Sequence, residues 1–188
     1  MNFDAPSPMS EELRPAVFFD RDGTIMHDVN YCGDPAKVEL FSDVPAALRR
    51  LKERGFILIM ITNQSGIGRG YFTRAQYDDV HAEVLLQIGE PLIDAAYVCP
   101  DPPGINSQCR KPAPGMVLQG AREHNVDLAR SIFIGDKEID VQCGHNARLK
   151  AIRVRTGFET NTLESAADWV AENFAEAVDI VLTQFSPA

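Results

Sequence analysis

Residues 16–24 of the chain read Ala16-Val17-Phe18-Phe19-Asp20-Arg21-Asp22-Gly23-Thr24. An apolar run of this kind, followed at once by an acid, is typical of a buried parallel strand whose carboxyl end reaches the surface. Ligands of α/β proteins bind at the carboxyl ends of such strands. Asp20 and Asp22 are therefore candidate functional residues, and Gly23 lets the chain turn sharply after them.

Similar apolar runs recur along the chain and alternate with segments of helical periodicity. The further predicted strands are residues 56–62, 95–99, 131–136, 150–154 and 168–170, the last a short edge strand. The predicted helices span about 44–54, 73–89, 114–124, 138–148 and 174–185. The second of these helices begins with Thr73-Arg74-Ala75-Gln76, which has the pattern of a capping box.

This alternation predicts an α/β fold: a single Rossmann-like domain of three layers, α/β/α, around a mainly parallel sheet. The length of 188 residues suits one domain with its own core. Residues 1–14 are polar and contain several prolines and serines. We therefore expect a flexible leader over residues 1–14 and the folded domain over residues 15–188.

Composition limits the partners and the location of the protein. The net charge of −9 has the wrong sign for a protein that binds nucleic acid over its whole surface. No apolar run reaches the length of about 18 residues that a membrane span needs, and the N-terminus lacks the pattern of a signal peptide. Four cysteines are too few for a secreted disulfide framework. We expect a reduced, cytoplasmic protein without nucleic-acid or membrane partners, and nothing in the sequence calls for more than a monomer.

The polar residues at the predicted strand ends suit phosphoryl transfer to an aspartate. Asp20 can attack phosphorus and form an aspartyl-phosphate, and Asp22 is close enough to protonate the leaving alcohol and later deprotonate water. Thr62, at the end of its strand, and Lys111, after the loop that follows strand 95–99, can hold the phosphoryl oxygens. A Mg²⁺ ion held by carboxylates would offset the repulsion between the anionic nucleophile and an anionic substrate.

Four motifs together resemble those of the haloacid dehalogenase-like (HAD) phosphatase superfamily. They are Asp20-x-Asp22-Gly23-Thr24, Thr62, Lys111, and Gly135-Asp136 with Asp140. Thr62 follows Asp20 by 42 residues, Lys111 follows Thr62 by 49, and Asp136 follows Lys111 by 25. The stretches 62–70, 109–116 and 135–137 are similar to those of the histidinol-phosphatase/heptose-bisphosphatase branch. The resemblance covers about residues 15–160.

This resemblance implies a Mg²⁺-dependent phosphomonoesterase that acts on a small phosphorylated metabolite, most closely a sugar phosphate such as a heptose bisphosphate. It implies that Asp20, Asp136 and, through its carbonyl oxygen, Asp22 hold the Mg²⁺ ion. The substrate contacts that it implies are Asp28, Asn30, Tyr31, Asn63, Gln64, Ser65, Arg110 and Lys137.

The spacing of the motifs independently predicts that no cap domain is present. The gap between the first two motifs must hold a helix and a strand, which leaves only about residues 25–43 over. The segment between Thr62 and Lys111 is filled by one helix, one strand and one loop. We therefore expect an open site whose selectivity depends on short loops.

The loop before Lys111 departs from the branch, whose members commonly bind a structural zinc there through Cys-x-His and Cys-x-Cys. This chain has Cys99-Pro100-Asp101 and Ser107-Gln108-Cys109 instead. Cys99, Asp101 and Cys109 give three ligands at most, whereas a structural zinc takes four, mostly thiolate or imidazole. We therefore expect a loop that is stiffened by prolines and does without zinc.

Two alternatives to a sugar phosphatase are open at this point. Within enzymes, the substrate could be histidinol phosphate or another small metabolite, whereas the net charge of −9 disfavours a nucleic-acid 3′-phosphate. Outside enzymes, the chain could be a catalytically dead regulator that only binds phosphate. Such a regulator would be expected to lack the nucleophile or the metal-binding acid, and this chain has both Asp20 and Asp136.

Overall fold

A computed structural model describes residues 12–89, 91–158 and 164–185 of the chain. Its centre is a six-stranded sheet of β1 (Ala16–Phe19), β2 (Ile57–Asn63), β3 (Ala95–Cys99), β4 (Ile132–Gly135), β5 (Lys150–Val154) and β6 (Trp169–Ala171). All neighbouring strands pair in parallel, in the order β3-β2-β1-β4-β5-β6. The predicted strands are confirmed, and the sheet is parallel throughout rather than only mainly so.

The described residues form six α-helices: α1 (Val44–Glu53), α2 (Ser65–Gly68), α3 (Arg74–Ile88), α4 (Gly115–Glu123), α5 (Glu138–Asn146) and α6 (Phe174–Gln184). The sequence predicts five of them, whereas α2 is a single turn and too short to show a helical period. None of these helices is both long enough and apolar enough to cross a membrane.

The core has two halves, one on each face of the sheet. Alternate residues of a strand point to opposite faces, and Val17 and Phe19 of β1 accordingly join one apolar cluster whereas Ala16 and Phe18 join the other. The first cluster includes buried residues of α1, α3 and α6, and the second includes those of α4 and α5. Burial on both faces explains why the strands are uninterrupted apolar runs, and it confirms the three-layer α/β/α architecture.

The predicted capping box begins α3. The Thr73 hydroxyl accepts a hydrogen bond from Gln76 N at 3.2 Å, and the Gln76 side chain accepts one from Thr73 N at 2.8 Å. The helix ends at Gly89, whose φ of 81° lies in the left-handed region that favours glycine. These two signals set the start and the end of α3, the helix that follows the loop at the carboxyl end of β2.

The segments between the motifs are short, as the spacing predicts. Residues 25–43 contain a bridge between Met26 and Leu40 and a 3₁₀ turn at Pro35–Lys37. The described residues between β2 and Lys111 form α2, α3, β3 and connecting loops. Neither segment holds a cap domain, so the carboxyl edge of the sheet is left open.

The predicted leader lies mostly outside the described residues. Its last residue, Arg14, pairs with the chain after α4: Arg14 N donates to Asn125 O at 3.0 Å, and Asp127 N donates to Arg14 O at 2.8 Å. Arg14 therefore belongs to the folded domain, one residue before the predicted boundary, while a leader over the preceding residues stays a prediction.

Candidate active site

A cleft of about 190 Å³ opens at the carboxyl ends of β1, β2 and β4. It is lined by Asp20, Asp22, Asp28, Asn30, Tyr31, Cys32, Asn63, Gln64, Ser65, Lys111, Lys137 and Ile139. All of these except Cys32 and Ile139 are predicted site residues. Thr62 and Asp136 are buried next to the cleft, whereas Arg110 is not part of its wall.

Lys111 is the buried cation of the site. Its Nζ lies 2.8 Å from Asp20 Oδ1 and 2.7 Å from Asp140 Oδ1, and it donates a hydrogen bond to Ile61 O at 3.0 Å. Burial alone would lower the pKa of Lys111, but the two carboxylates outweigh burial and raise it. The lysine is therefore permanently charged and directed at the predicted nucleophile.

Asp140, whose role the sequence leaves open, uses both of its oxygens inside the protein. Oδ1 forms the ion pair with Lys111, and Oδ2 accepts a hydrogen bond from Lys137 N at 3.0 Å, at the start of α5. Asp140 is completely buried. It therefore holds the Lys111 ammonium together with Asp20.

Asp20, Asp136 and Asp140 bring their carboxylate oxygens within 4.8 Å of one another. Burial, with added repulsion from neighbouring carboxylates, raises the pKa of Asp20 to about 6 against the opposing attraction of Lys111. The same two causes raise the pKa of Asp136 to about 8. Within the described part of the chain, Asp136 Oδ2 accepts no hydrogen bond, and it faces Lys137 Nζ at 3.5 Å.

This cluster has the chemistry of a divalent-cation site. Burial and mutual repulsion raise the pKa values of Asp20 and Asp136 in spite of Lys111 and Lys137, and a bound cation would offset the remaining excess of negative charge. Mg²⁺ prefers one or two carboxylates together with carbonyl, water and phosphate oxygens. The carboxylate oxygens of Asp20 and Asp136 are donors of the kind that suits this ion.

Asp22 is held by a residue that the sequence interpretation misses. Arg21 Nε and Nη2 donate to the two oxygens of Asp22, each at 3.1 Å, and Gln64 Nε2 donates to Asp22 Oδ2 at 2.7 Å. Burial raises the pKa of Asp22, but Arg21 and Gln64 together lower it below its ordinary value. The Arg21 guanidinium is itself fully buried, 5.3 Å from the centre of the Tyr77 ring. Arg21 stands between the motif acids Asp20 and Asp22 at the end of a buried strand. That position in the sequence is the signal that could have identified its role.

Asn63 and Gln64, at the carboxyl end of β2, organise one side of the cleft. Gln64 Nε2 donates to Thr62 Oγ1 at 2.8 Å, which leaves the Thr62 hydroxyl hydrogen free to donate elsewhere. Asn63 donates to Lys111 O at 3.2 Å and accepts from Lys111 N at 3.0 Å. Asn63 therefore fixes the backbone of Lys111, in addition to lining the cleft.

The opposite wall of the cleft carries Asp28, Asn30, Tyr31 and Lys137. Lys137 Nζ donates to Asp28 Oδ2 at 3.1 Å, and Asp28 Oδ1 accepts from Asn30 N at 2.9 Å. Asn30 and Tyr31 adopt left-handed φ values of 51° and 65°. The Tyr31 ring meets Tyr71 edge to face at 4.8 Å, so Tyr71, which the sequence interpretation does not single out, supports this wall.

Arg110 lies outside the wall of the cleft, close to a second arginine. Its Nη1 donates to Asp101 O at 2.9 Å, and burial together with the like charge of Arg69 lowers its pKa. Arg69 is exposed, and its guanidinium has no hydrogen bond or ion pair among the described residues. Two neighbouring guanidinium groups in this arrangement form a cationic rim beside the cleft.

The expectation that all cysteines are reduced is wrong for two of them, because Cys99 and Cys109 form a disulfide bond. Ser107 Oγ lies 3.6 Å from Cys99 Sγ and 3.3 Å from Cys109 Sγ, and Asp101 Oδ2 lies 3.6 Å from Cys109 Sγ. The predicted ligand positions do converge. In the disulfide, however, neither sulfur is the thiolate that zinc requires.

The disulfide gives a definite expected thiol count. The other two cysteines, Cys32 and Cys143, are free and buried. In denaturant without reductant, we expect two thiols per chain to react with a chromogenic disulfide reagent, and four after reduction. Protein purified without reductant or chelator should contain no stoichiometric zinc. Four reactive thiols before reduction, together with one bound zinc per chain, would contradict the disulfide.

Comparison with known proteins places the chain in a family. A family model described as "HAD-hyrolase-like" matches residues 108–177. The D-glycero-D-manno-heptose-1,7-bisphosphate 7-phosphatase of Thermosynechococcus vestitus is 36% identical over 196 residues, covering 93% of this chain and 98% of that protein. The chain belongs to the HAD-like phosphatases, in the branch that contains the heptose-bisphosphate phosphatases. It is a phosphoric monoester hydrolase.

Two further members of this branch are similar over nearly their whole length. The D-glycero-beta-D-manno-heptose-1,7-bisphosphate 7-phosphatase of Escherichia coli (strain K12) is 37% identical over 185 residues, 93% of this chain and 97% of that protein. The crystal structure of D,D-heptose 1.7-bisphosphate phosphatase from B. bronchiseptica, complexed with magnesium and phosphate, has a TM-score of 0.82 and 30% identity. The match covers 90% of this chain and 99% of the B. bronchiseptica chain. This HAD-like phosphatase thus matches these relatives over 97–99% of their own length.

Proposed function

We propose that this phosphatase hydrolyses a heptose 1,7-bisphosphate at one of its two phosphates, through an aspartyl-phosphate at Asp20. The single observation that carries the mechanism is the Lys111 ammonium, buried in contact with Asp20 at 2.8 Å at the wall of the cleft. The choice of a heptose bisphosphate rests on the printed activities of relatives that cover more than nine-tenths of this chain.

The proposed reaction has two steps. A carboxylate oxygen of Asp20 forms a bond to phosphorus while the bond to the sugar oxygen breaks, and Asp22 donates a proton to the leaving alcohol. A water molecule then attacks the phosphorus of the aspartyl-phosphate and Asp22 takes its proton, which releases phosphate and regenerates Asp20. Arg21 and Gln64 fix both oxygens of Asp22 and lower its pKa, which favours the carboxylate form that accepts the proton of water in the second step.

The side chains around Asp20 suit the charge of a phosphoryl group. Lys111 supplies a fixed cation, and the free hydroxyl hydrogen of Thr62 can bind an equatorial oxygen. Asp20, Asp136 and the carbonyl of Asp22 would hold Mg²⁺, which supplies the positive charge that lets two anions approach each other. Without that ion, Asp140 and Ile61 O keep the Lys111 ammonium in place, and the Asn63 amide holds the backbone of Lys111.

The rest of the substrate would lie against Ser65 and the wall formed by Asp28, Asn30, Tyr31 and Lys137. A bisphosphate carries a second phosphate dianion, and the cationic rim of Arg69 and Arg110 would bind it. Among the described residues, the Arg110 guanidinium donates one hydrogen bond, from Nη1 to a carbonyl, so most of its donors are available. The product, a heptose monophosphate, would feed carbohydrate precursor synthesis for lipopolysaccharide in the cytoplasm, and the enzyme would act as a monomer.

A substrate panel tests this proposal. With Mg²⁺, we expect kcat/KM for heptose 1,7-bisphosphate to exceed that for heptose monophosphates, histidinol phosphate and p-nitrophenyl phosphate, and a chelator should abolish all turnover until Mg²⁺ is restored. Arg110→Ala should lose about 10–100-fold of the bisphosphate preference, the loss expected for a charge-assisted hydrogen bond.

The matched control for the arginine is Arg122→Ala, which removes an exposed guanidinium from the last turn of α4. Its kcat/KM values should equal those of the wild type across the panel. Highest kcat/KM on histidinol phosphate, or an unchanged preference in Arg110→Ala, would contradict the assignment of the substrate. Complete absence of turnover on every compound would instead favour the non-catalytic phosphate-binding alternative.

A further inference from the structure

The Asp136 carboxylate lies between two glycines from distant parts of the chain. A Cβ added at Gly23 would be 2.5 Å from Asp136 Oδ2, and one added at Gly157 would be closer still. Real Cβ atoms essentially never come within 3.0 Å of another heavy atom. Only glycine at both positions leaves the space that this carboxylate occupies.

The two glycines differ in why they are needed. Gly23 belongs to the first motif and has a φ of 83°, so its backbone conformation also favours glycine. Gly157 lies after β5, in none of the four motifs, and its φ is not in the left-handed region. The reason for glycine at position 157 is therefore space alone, and the group that needs the space is Asp136.

Hydrogen bonds hold the loop after β5 against the first motif. The Thr156 hydroxyl donates to Gly23 O at 2.6 Å, across 133 residues of sequence. On the other side, Arg153 Nε donates to Asp136 O at 3.0 Å. The loop after β5 is thus tied to Gly23, and β5 itself, through Arg153, is tied to the backbone of Asp136.

One oxygen of Asp136, Oδ2, is without a hydrogen bond among the described residues, and its one ion pair there, with Lys137 Nζ, is long at 3.5 Å. The other oxygen, Oδ1, accepts a hydrogen bond from Thr24 Oγ1 at 3.4 Å. Oδ2 is also the oxygen that the two glycines enclose. A change in the space beside Oδ2 would therefore turn or displace this carboxylate.

We propose that Gly157 is a positioning residue for the divalent cation: it keeps open the space in which Asp136 presents Oδ2 to Mg²⁺. The loop after β5 then forms a fifth part of the site, in addition to the four motifs. This inference rests on the proposed Mg²⁺-dependent function, but it concerns only the affinity for the cation and not the identity of the sugar.

Calorimetric titration of the metal-free protein with Mg²⁺ tests this inference without any substrate. In Gly157→Ala we expect the Kd for Mg²⁺ to rise by about 10–100-fold, the loss typical when a group that orients a metal ligand is changed. Turnover at low Mg²⁺ should fall and should recover in part when the Mg²⁺ concentration is raised. The matched control is Phe158→Ala, which removes an adjacent side chain that is 70% exposed and should leave the Kd unchanged.

Thermal unfolding without metal identifies which variants are folded. If Gly157→Ala does not fold, the test uses Thr156→Val instead. This substitution keeps the side-chain volume and removes only the hydrogen bond to Gly23 O. Its Kd for Mg²⁺ should also rise, but by less than the rise expected for Gly157→Ala. A folded Gly157→Ala that binds Mg²⁺ as tightly as the wild type would overturn the inference, as would an unchanged Kd in Thr156→Val when Gly157→Ala is unfolded. A failed heptose assay with normal wild-type Mg²⁺ binding would overturn only the substrate proposal.

Discussion

Asp20→Asn should abolish turnover on both p-nitrophenyl phosphate and heptose bisphosphate while leaving the protein folded. An amide has nearly the shape of a carboxylate and can still accept a hydrogen bond from Lys111, which lies 2.8 Å from Asp20 Oδ1. It cannot, however, attack phosphorus to form an acyl phosphate. Phosphate release and thermal unfolding, measured on the same preparation, separate these two effects.

The matched control for this substitution is Asp179→Asn. Asp179 is an exposed aspartate that pairs with Arg50 at 2.7 Å on the surface of α6. Exposed pairs of this kind contribute little to stability, so both turnover and Tm should stay close to those of the wild type. Turnover in Asp20→Asn near the wild-type rate would show that another group attacks the phosphate.

Lys111→Met should destroy activity and also destabilise the protein, which is the second large effect that we expect. The substitution leaves the carboxylates of Asp20 and Asp140 buried and close together without their shared cation. Removing one partner of a buried ion pair costs about 3–5 kcal/mol, because the other charge remains without compensation. Urea unfolding of the metal-free protein measures this loss, and a phosphate-release assay measures the loss of turnover.

A second substitution separates the structural part of this effect from the catalytic part. Asp140→Asn in the Lys111→Met background removes one of the two uncompensated charges, so the double variant should recover part of the lost free energy of unfolding. Its turnover should remain absent, because no cation faces the phosphoryl group. A double variant no more stable than Lys111→Met alone would contradict the role of Lys111 in compensating Asp140.

Much of the fold and the first residues of the site could be predicted because the signals are local. The apolar run at residues 16–19 marks a strand by itself, and Thr73 with Gln76 marks a helix start within four residues. Once the strands are parallel, their carboxyl ends meet at one edge of the sheet. The contact of Lys111 with Asp20 follows from this topology even though the two residues are distant in sequence.

The parts that could not be predicted depend on contacts between distant segments. That Asp140 pairs with Lys111 requires the position of α5 relative to the loop after β3. The hydrogen bond from Thr156 to Gly23 O spans 133 residues, and the space at Gly157 has no counterpart in any motif. The Cys99–Cys109 disulfide was missed because cysteine number and compartment, rather than loop geometry, guided the expectation.

The most direct test is to find where the phosphoryl group resides during turnover. Wild-type protein mixed with Mg²⁺ and substrate should be quenched in acid within a turnover, digested and examined by mass spectrometry, with Asp20→Asn as the parallel sample. We predict one acid-stable, base-labile phosphate on Asp20 of the wild type and none in the variant. A phosphate on any other residue, or steady turnover without a phosphorylated Asp20 under conditions that trap acyl phosphates, would contradict covalent catalysis by this carboxylate.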